Sequence, residues 1–511
     1  MIVLDGFSLT ADRLRAVARD GEAVTLAPSA IERVKAGQTE LERRIAAGTP
    51  VYGVTTGFGA LDKERVSSAH RALLQKNLLL SHAAGVGPAL PREIVRAMMA
   101  ARANVLAQGY PAVRLATLQR LLDALNRGLT PRVPEKGSLG ACGDLQALAH
   151  CMLPLLGEGE AEVDGRLLPG REALKAVGLE PIVLEGRDGL ALINGSEQAS
   201  ATAALVVADA VTVLKAIEIA AACAVEALRG LGTAFEEWIS AAKPHPGQVR
   251  AAAHFRRLLQ GSLIVGEQRS KLRDALSIRC LPQVQGAAWE ALDWARATVE
   301  RELNAANDNP LVDWSPARVN SNSGNFHGQA VAQAMDTLAA SLTTVGVMSD
   351  RRSARLVDEK LSDGLPAFLV KPPAGEEGAH SGFMLAQYTS AALVAESRIL
   401  AAPAGIQAVP TCANSEDHVS LAPLAARKAR QILDHLIVIA AVEWLLACQG
   451  LDFRGPERAD PGARAAHRLL RSRVPHWQAD RYLAPDLEAA ATLIRDGSLV
   501  AAVEAAVGPL H

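Results

Sequence analysis

The sequence is short of aromatic residues: Phe, Trp and Tyr make up 4% of 511 residues, and only four are Tyr. A core this poor in rings must be filled by aliphatic side chains, and 49% of the chain is hydrophobic, with Ala and Leu prominent. Those two residues favour helix over strand. Charge of one sign is also lacking. The 53 Lys and Arg nearly cancel the 55 Asp and Glu, leaving a net charge of −2, which excludes a strongly basic nucleic-acid-binding face. The cysteines (Cys142, Cys151, Cys223, Cys280, Cys412 and Cys448) are scattered, with no C-x-x-C pair. A disulfide framework is not expected in so long a chain, and a reducing, cytoplasmic setting is. The start, MIVLDGFSLTADRLRAV, has neither the basic lead nor the apolar stretch of a signal peptide. Residues 199–232 form the most apolar stretch, but Asp209, Lys215, Glu218 and Glu226 interrupt it. That predicts a buried helix rather than a membrane span. No repeat, low-complexity tract or long charge run is present.

What is present is helical periodicity. Apolar residues recur at three- and four-residue spacing over 62–127, and longer helical runs follow at 196–232, 283–306, 326–350, 382–402 and 420–449. Residues 1–60 read as short strand or loop pieces, 128–143 as a Gly- and Pro-rich loop, and 157–193 as a mixed segment with turns. The expected fold class is mainly α, an elongated helical bundle. Its expected segments are an N-terminal domain (1–195), a central long-helix bundle (196–450) and C-terminal short helices packed on it (451–511).

Five stretches between the helices are dense in Gly, Asn, Ser and His: SHAAGVG, GSLGACGD, INGSEQAS, NSGNFHG and TCANSEDH. Any one of them suits helix capping; the set suggests functional loops at helix ends. In GACGDL, residues 140–145, a cysteine stands between the two smallest residues, with no base or metal partner beside it. The backbone of Ala141-Cys142-Gly143 can close on itself. If the Gly143 nitrogen attacks the Ala141 carbonyl carbon, a five-membered ring forms, and glycine lets that nitrogen approach in a conformation other residues avoid. Loss of water and elimination of sulfide from Cys142 then leave 4-methylideneimidazol-5-one (MIO), a strong electrophile. The other reading of Cys142 is a plain buried thiol or a redox site. Asp144 reads as a cap or first-turn acid of a helix whose N-terminus would stabilise negative charge on the ring oxygen.

The segments VYGVTTGFG, NLLLSHAAGVG, GSLGACGDL, LINGSEQAS, SIRCLPQ, NDNPLV, SGNFHG and NSEDHVS together carry a resemblance to the histidine and aromatic amino acid ammonia-lyases over nearly the whole chain. The resemblance implies an ammonia-lyase-like fold and elimination of ammonia from an aromatic α-amino acid, first of all L-histidine to trans-urocanate. It implies MIO as the electrophile, no metal, no nucleic-acid or membrane partner, and a homotetramer whose sites borrow residues from several subunits. Family members usually have serine where Cys142 stands. A thiol, with a pKa of about 8.5, leaves more readily than an alkoxide. By the same resemblance Tyr52 matches the base, Arg279 the holder of the substrate carboxylate, and Asn194, Asn325 and Phe326 pocket residues near it. His82 and Glu416 match the histidine-using branch and could hold the two ends of an imidazole. On the residues alone, Tyr52 also reads as a ring packed over a turn, Arg279 as a surface ion pair, the asparagines as caps, His82 as a core histidine, and Glu416 as a helix acid.

Four further positions depart from the histidine-lyase pattern. Glu197 and Arg273 stand where glutamines are usual, Leu276 replaces a tyrosine, and His380 replaces an asparagine. All four are expected in site-lining segments, and Glu197 and Arg273 are expected to face each other and pair. Leu276 matters most, because it removes a hydroxyl. The departures also fit a lyase for another aromatic or modified amino acid, a 2,3-aminomutase, or a non-catalytic helical paralogue. The fumarase and aspartase type needs a GSSxMPxKxN-like segment, which is missing.

Overall fold

Each long periodic run forms a single helix in the computed structural model, which describes residues 1–267 and 271–511. These helices are Glu197–Ala227, Leu281–Leu303, Gln329–Val357, Met384–Leu400 and Ala422–Arg454. Helix accounts for 59% of the chain and strand for 7%, so the mainly α expectation holds. The chain forms two compact units, each made of three separated stretches. The first is Met1–Ala208, Ala295–Asp336 and Pro403–Arg427; the second is Asp209–Trp294, Thr337–Ala402 and Lys428–His511. A reading along the sequence draws contiguous segments such as 1–195, 196–450 and 451–511. The stretches of the two units alternate along the sequence, and the boundaries fall inside four of the long helices.

The first unit is built around helix Arg92–Leu106, in which every residue from Ile94 to Leu106 is buried. An all-round buried helix must satisfy its own polar groups. Arg96 donates to Leu125 O and Val17 O at 3.1 Å each, and Asn104 donates to Leu303 O at 3.0 Å. Around it pack helices Ala11–Arg19 and Leu115–Asn126. The sheet content is small. Ile2–Leu4 pairs in parallel with Val24–Leu26, and Leu311–Trp314 forms a hairpin with Ala317–Asn320. Two expectations are corrected here. The 62–127 helical stretch is broken by the strand Val86–Ala89, and the expected loop 128–143 contains strands Thr130–Pro131 and Pro134–Lys136. Pro and Gly made both pieces read as irregular, yet edge strands tolerate them.

The second unit holds its helices with buried charge. Arg352 and Glu443 are fully buried and paired, the guanidinium Nη2 donating to Glu443 Oε2 at 2.8 Å. Arg352 also donates to Ser277 O at 3.0 Å, which fixes the short helix Leu276–Arg279. Among the described residues, Ala422–Arg454 is the one helix long and apolar enough to cross a membrane, and 83% of that window is buried, as in a core helix. The stretch 199–232 singled out from sequence is not.

Also in this unit, the Asp460 N–H donates to Glu226 Oε1 at 2.9 Å, while Glu226 Oε2 and Asp460 Oδ2 are buried without partners. Burial is the largest cause that pushes the Glu226 carboxyl up to about 8 and that of Asp460 up to about 6. Both therefore keep a proton in the folded chain at pH values where an unfolded chain has released it. Their stabilisation is complete below about pH 4 and is lost as pH rises through the two folded values. The melting temperature is expected to fall between about pH 5 and pH 8, and Glu226→Gln to flatten the upper part of that fall. Identical pH profiles for parent and variant would contradict this.

Candidate active site

The segment GACGD sits where two glycine backbones meet. Gly143 has φ +75°, and a Cβ there would lie 2.3 Å from Gly195 O. A Cβ on Gly195 would lie 2.2 Å from Arg102 Nη1 and 2.4 Å from Glu197 Oε2, so that buried ion pair would have to shift. The contact is tied at both ends. Asp144 N donates to Gly195 O at 2.6 Å, Leu421 N donates to Leu139 O at 2.9 Å, and Ser420 Oγ donates to Gly140 O at 3.2 Å. Asp144 occupies the N-cap position of helix Leu145–Met152 but does not cap it with its side chain. Its carboxylate instead accepts from Ser138 Oγ and from Ala199 N, each at 2.8 Å, so it joins the loop to the start of helix Glu197–Ala227. Burial pushes this carboxyl up to about 7.

A cavity of about 750 Å³ opens beside the loop, within the range of small-molecule sites. Tyr52, His82, Cys142, Asn194, Phe326 and Glu416 all line it, so the structure brings these expected residues together. Tyr52 stands on the turn 51–55 and accepts from Gly59 N at 2.8 Å. The turn is anchored by Gln75, fully buried, which donates to Gly53 O at 2.9 Å and accepts from Leu190 N at 3.0 Å. His82 ends helix Arg71–His82, with Ser81 Oγ 3.1 Å from its Nδ1. Cys142 Sγ donates to Glu416 Oε1 at 2.7 Å. Asn194 donates to Asn309 O at 2.5 Å, while its Oδ1 is buried without a partner.

Burial dominates the electrostatics. It pushes the Tyr52 phenol up, helped by Cys142, Cys412 and Glu416 and opposed by the Gly59 hydrogen bond. It pushes the His82 imidazole down, towards the neutral form that offers one donor and one acceptor. Burial first, then the Glu416 hydrogen bond, raises the Cys142 thiol well above the ordinary thiol range. The arrangement suits the backbone ring. Gly143 has no side chain to obstruct its nitrogen, and Asn194, next to the Gly195 it packs against, has a buried Oδ1 without a partner.

Several expected residues lie elsewhere. Glu197 does not line the cavity. It is fully buried and paired with Arg102 at 3.0 Å within its own unit. Burial pushes its carboxyl up while Arg102 pulls it down. Arg102 also contacts Asp308, which is in turn held by Arg187 at 2.5 Å, so two guanidiniums and two carboxylates compensate one another. The expected Glu197–Arg273 pair is not formed, and Arg273 is exposed. Asn325 is exposed and off the cavity wall, although Phe326 is on it. Leu276, Arg279 and His380 belong to the second unit and are absent from the cavity lining. Leu276 is 59% exposed, Arg279 is exposed with no ion pair among the described residues, and His380 contacts Glu376 and Asp480. Sequence reading missed Cys412, which lines the cavity, and the anchor Gln75. Cys412 lay in view four residues before Glu416. The signal for Gln75 was a polar residue in the apolar run LLQKNLLL.

The aromatic amino acid lyase family pattern matches residues 9–472. The histidine ammonia-lyase of Symbiobacterium thermophilum is 47% identical over 509 residues, covering 99% of each chain. That of Myxococcus xanthus is 45% identical, also covering 99% of each. Among solved structures, tyrosine aminomutase from Streptomyces globisporus superposes with a TM-score of 0.94 at 38% identity, covering 99% of both chains.

The buried charge cluster gives a test. Glu197→Gln leaves a buried guanidinium undercompensated and is expected to cost roughly 3–5 kcal/mol in urea unfolding. Arg273→Gln is expected to stay within about 0.5 kcal/mol of the parent, and the double variant to equal the sum. A double variant more stable than that sum by about 1 kcal/mol or more would restore the discarded pairing.

Proposed function

Since the chain belongs to the aromatic amino acid lyase family and is an ammonia-lyase, we propose that it converts L-histidine to trans-urocanate and ammonia, using MIO formed from Ala141, Cys142 and Gly143. The observation that carries this reading is the convergence of His82, Glu416, Tyr52 and Cys142 on one cavity. The ring supplies an electrophile that turns the substrate's amine into a leaving group.

The chain's own residues supply the rest. A neutral His82 and the Glu416 carboxylate offer complementary partners to the two imidazole nitrogens. Tyr52 is the group for the β-proton, and it must be ionised to take it. Conversion of Cys142 removes one of the neighbours that raise its phenol, and a substrate ammonium adds a positive charge that lowers it. The substrate carboxylate needs a cation, yet among the described residues no Arg or Lys lines the cavity. Arg279 is exposed and has no ion pair among those residues, and near it Leu272 is 94% exposed and Leu276 59%. Exposed apolar residues around such a guanidinium fit a surface covered by another subunit, in keeping with the homotetramer of shared sites that the family resemblance implies. A guanidinium fork then grips the carboxylate from the second chain. Neither a metal nor a diffusible cofactor enters this reading, which is of a cytoplasmic enzyme.

Purified protein incubated with L-histidine is expected to release ammonia and urocanate, followed by urocanate absorbance. Cys142→Ala is expected to abolish turnover. Arg279→Ala is expected to lower kcat/KM by about 10- to 100-fold, the worth of a hydrogen bond to a charged group. A β-amino acid as product would move the assignment to an aminomutase. Absence of turnover with histidine, tyrosine and phenylalanine alike would overturn it.

A further inference from the structure

We infer that Glu416 acts in the maturation of this chain, holding Cys142 as a protonated thiol, the form in which its sulfur can leave when the ring is made. The inference rests on the ring-forming reading above and deepens it for a site that carries cysteine.

The chemistry sets the requirement. In the elimination, a base removes the Cα hydrogen of Cys142 and that electron pair becomes the Cα–Cβ double bond. The Cβ–S bond breaks with its pair on sulfur. From a thiol the leaving species is the hydrosulfide anion, which takes up the released proton and departs as hydrogen sulfide. From a thiolate it would be the sulfide dianion, expelled beside the Glu416 carboxylate. The other half of the reaction is independent of sulfur. The Gly143 nitrogen bonds to the Ala141 carbonyl carbon. The Ala141 oxygen leaves as water with the amide hydrogens of Gly143 and Cys142, and a C=N bond forms to the Cys142 nitrogen. A serine hydroxyl stays protonated at any biological pH and needs no such partner. A thiol, with an ordinary pKa of about 8.5, ionises as pH rises above neutrality, and burial and the Glu416 hydrogen bond together hold it protonated there.

The geometry meets that requirement. Cys142 Sγ lies 2.7 Å from Glu416 Oε1 as donor. The other carboxylate oxygen accepts from Thr411 Oγ1 at 2.8 Å, so the acceptor is fixed in place. Between Thr411 and Glu416 the backbone turns through Cys412, Ala413 and Asn414 at φ 50°, 52° and 65°. Three consecutive left-handed residues with side chains are costly and persist only where their surroundings over-determine them. The turn closes with Thr411 N donating to Glu416 O at 2.9 Å. A negative acceptor in a poorly hydrated site disfavours the thiolate, in line with the raised thiol described above. Among the described residues, Tyr52, His82 and Cys412 are the other titratable groups on the cavity wall, and none is hydrogen-bonded to the sulfur.

Intact-mass measurement on the full chain tests this without recourse to activity. The parent is expected to be lighter than its sequence by one water and one hydrogen sulfide. Glu416→Gln places an amide that can donate to sulfur and so tolerates the thiolate. It is expected to lower the processed fraction at matched times, by a deficit that grows as maturation is run from about pH 7 to about pH 9 while the parent's fraction stays level, the remainder carrying an iodoacetamide-reactive Cys142. Cys142→Ser and the double variant Cys142→Ser/Glu416→Gln are both expected to be processed, each lighter by two waters. Processing of the double variant also shows that the Glu416 substitution leaves the loop competent. Glu416→Gln processed like the parent would overturn the inference. So would a double variant left unprocessed while Cys142→Ser alone matures, since Glu416 would then be needed whatever atom leaves. A parent at full sequence mass would sink the ring reading itself, and the inference with it.

Discussion

The site depends on one backbone-on-backbone contact, Gly143 against Gly195. A Cβ on Gly143 would lie 2.3 Å from Gly195 O, and the positive φ there also favours glycine. The contact places the segment Ala141–Gly143 beside Asn194 and leaves the buried Asn194 Oδ1 free. Hydrogen bonds hold these two segments of backbone in place. Asp144 ties the loop to Gly195 and to Ala199, and Ser420 and Leu421 hold its other side. The Arg102 and Arg187 cluster, with Glu197 and Asp308, fixes the Asn194–Glu197 turn from behind. Buried charges of this kind add little net stability but leave few alternative arrangements.

Charge at the cavity divides along the same lines. The compensated ions lie behind the loop, where they set geometry. The cavity itself is lined by groups that burial keeps neutral, His82, Tyr52 and the Cys142 thiol, with Glu416 as the acceptor for the thiol. Among the described residues no Arg or Lys lines the cavity, so none there supplies a cation for an α-amino acid's carboxylate. That gap, and the exposed Arg279, are what the proposed sharing of sites between subunits answers.

Much of this could be read from the sequence. Spacing located the long helices, because a 3.6-residue period persists over twenty or more residues in runs such as Ala422–Arg454. The loops dense in Gly, Asn and His proved to be those that converge on the cavity. The local irregularities were less legible. Val86–Ala89 and Thr130–Pro131 are short strands rich in Gly or Pro, defined by partners distant in sequence. Glu197 was misread for a related reason. A residue type that departs from a family pattern invites a compensating partner, and sequence offered Arg273. The fold offered Arg102, an arginine inside an apolar helix that no periodicity argument connects to position 197. Cys142 stood out in the sequence as a cysteine between the two smallest residues, but its hydrogen bond to Glu416 spans 274 residues and emerges only from the fold.

The most direct measurement is fragmentation mass spectrometry of the proteolytic peptide that spans residues 138–145, taken from freshly purified, active protein and from a Gly143→Ala variant. The account predicts that the parent peptide has lost one water and one hydrogen sulfide, with the loss confined to Ala141–Gly143, and that the variant peptide keeps its full mass. A parent peptide of full mass from active enzyme, or a ring that forms despite a side chain at position 143, would contradict it.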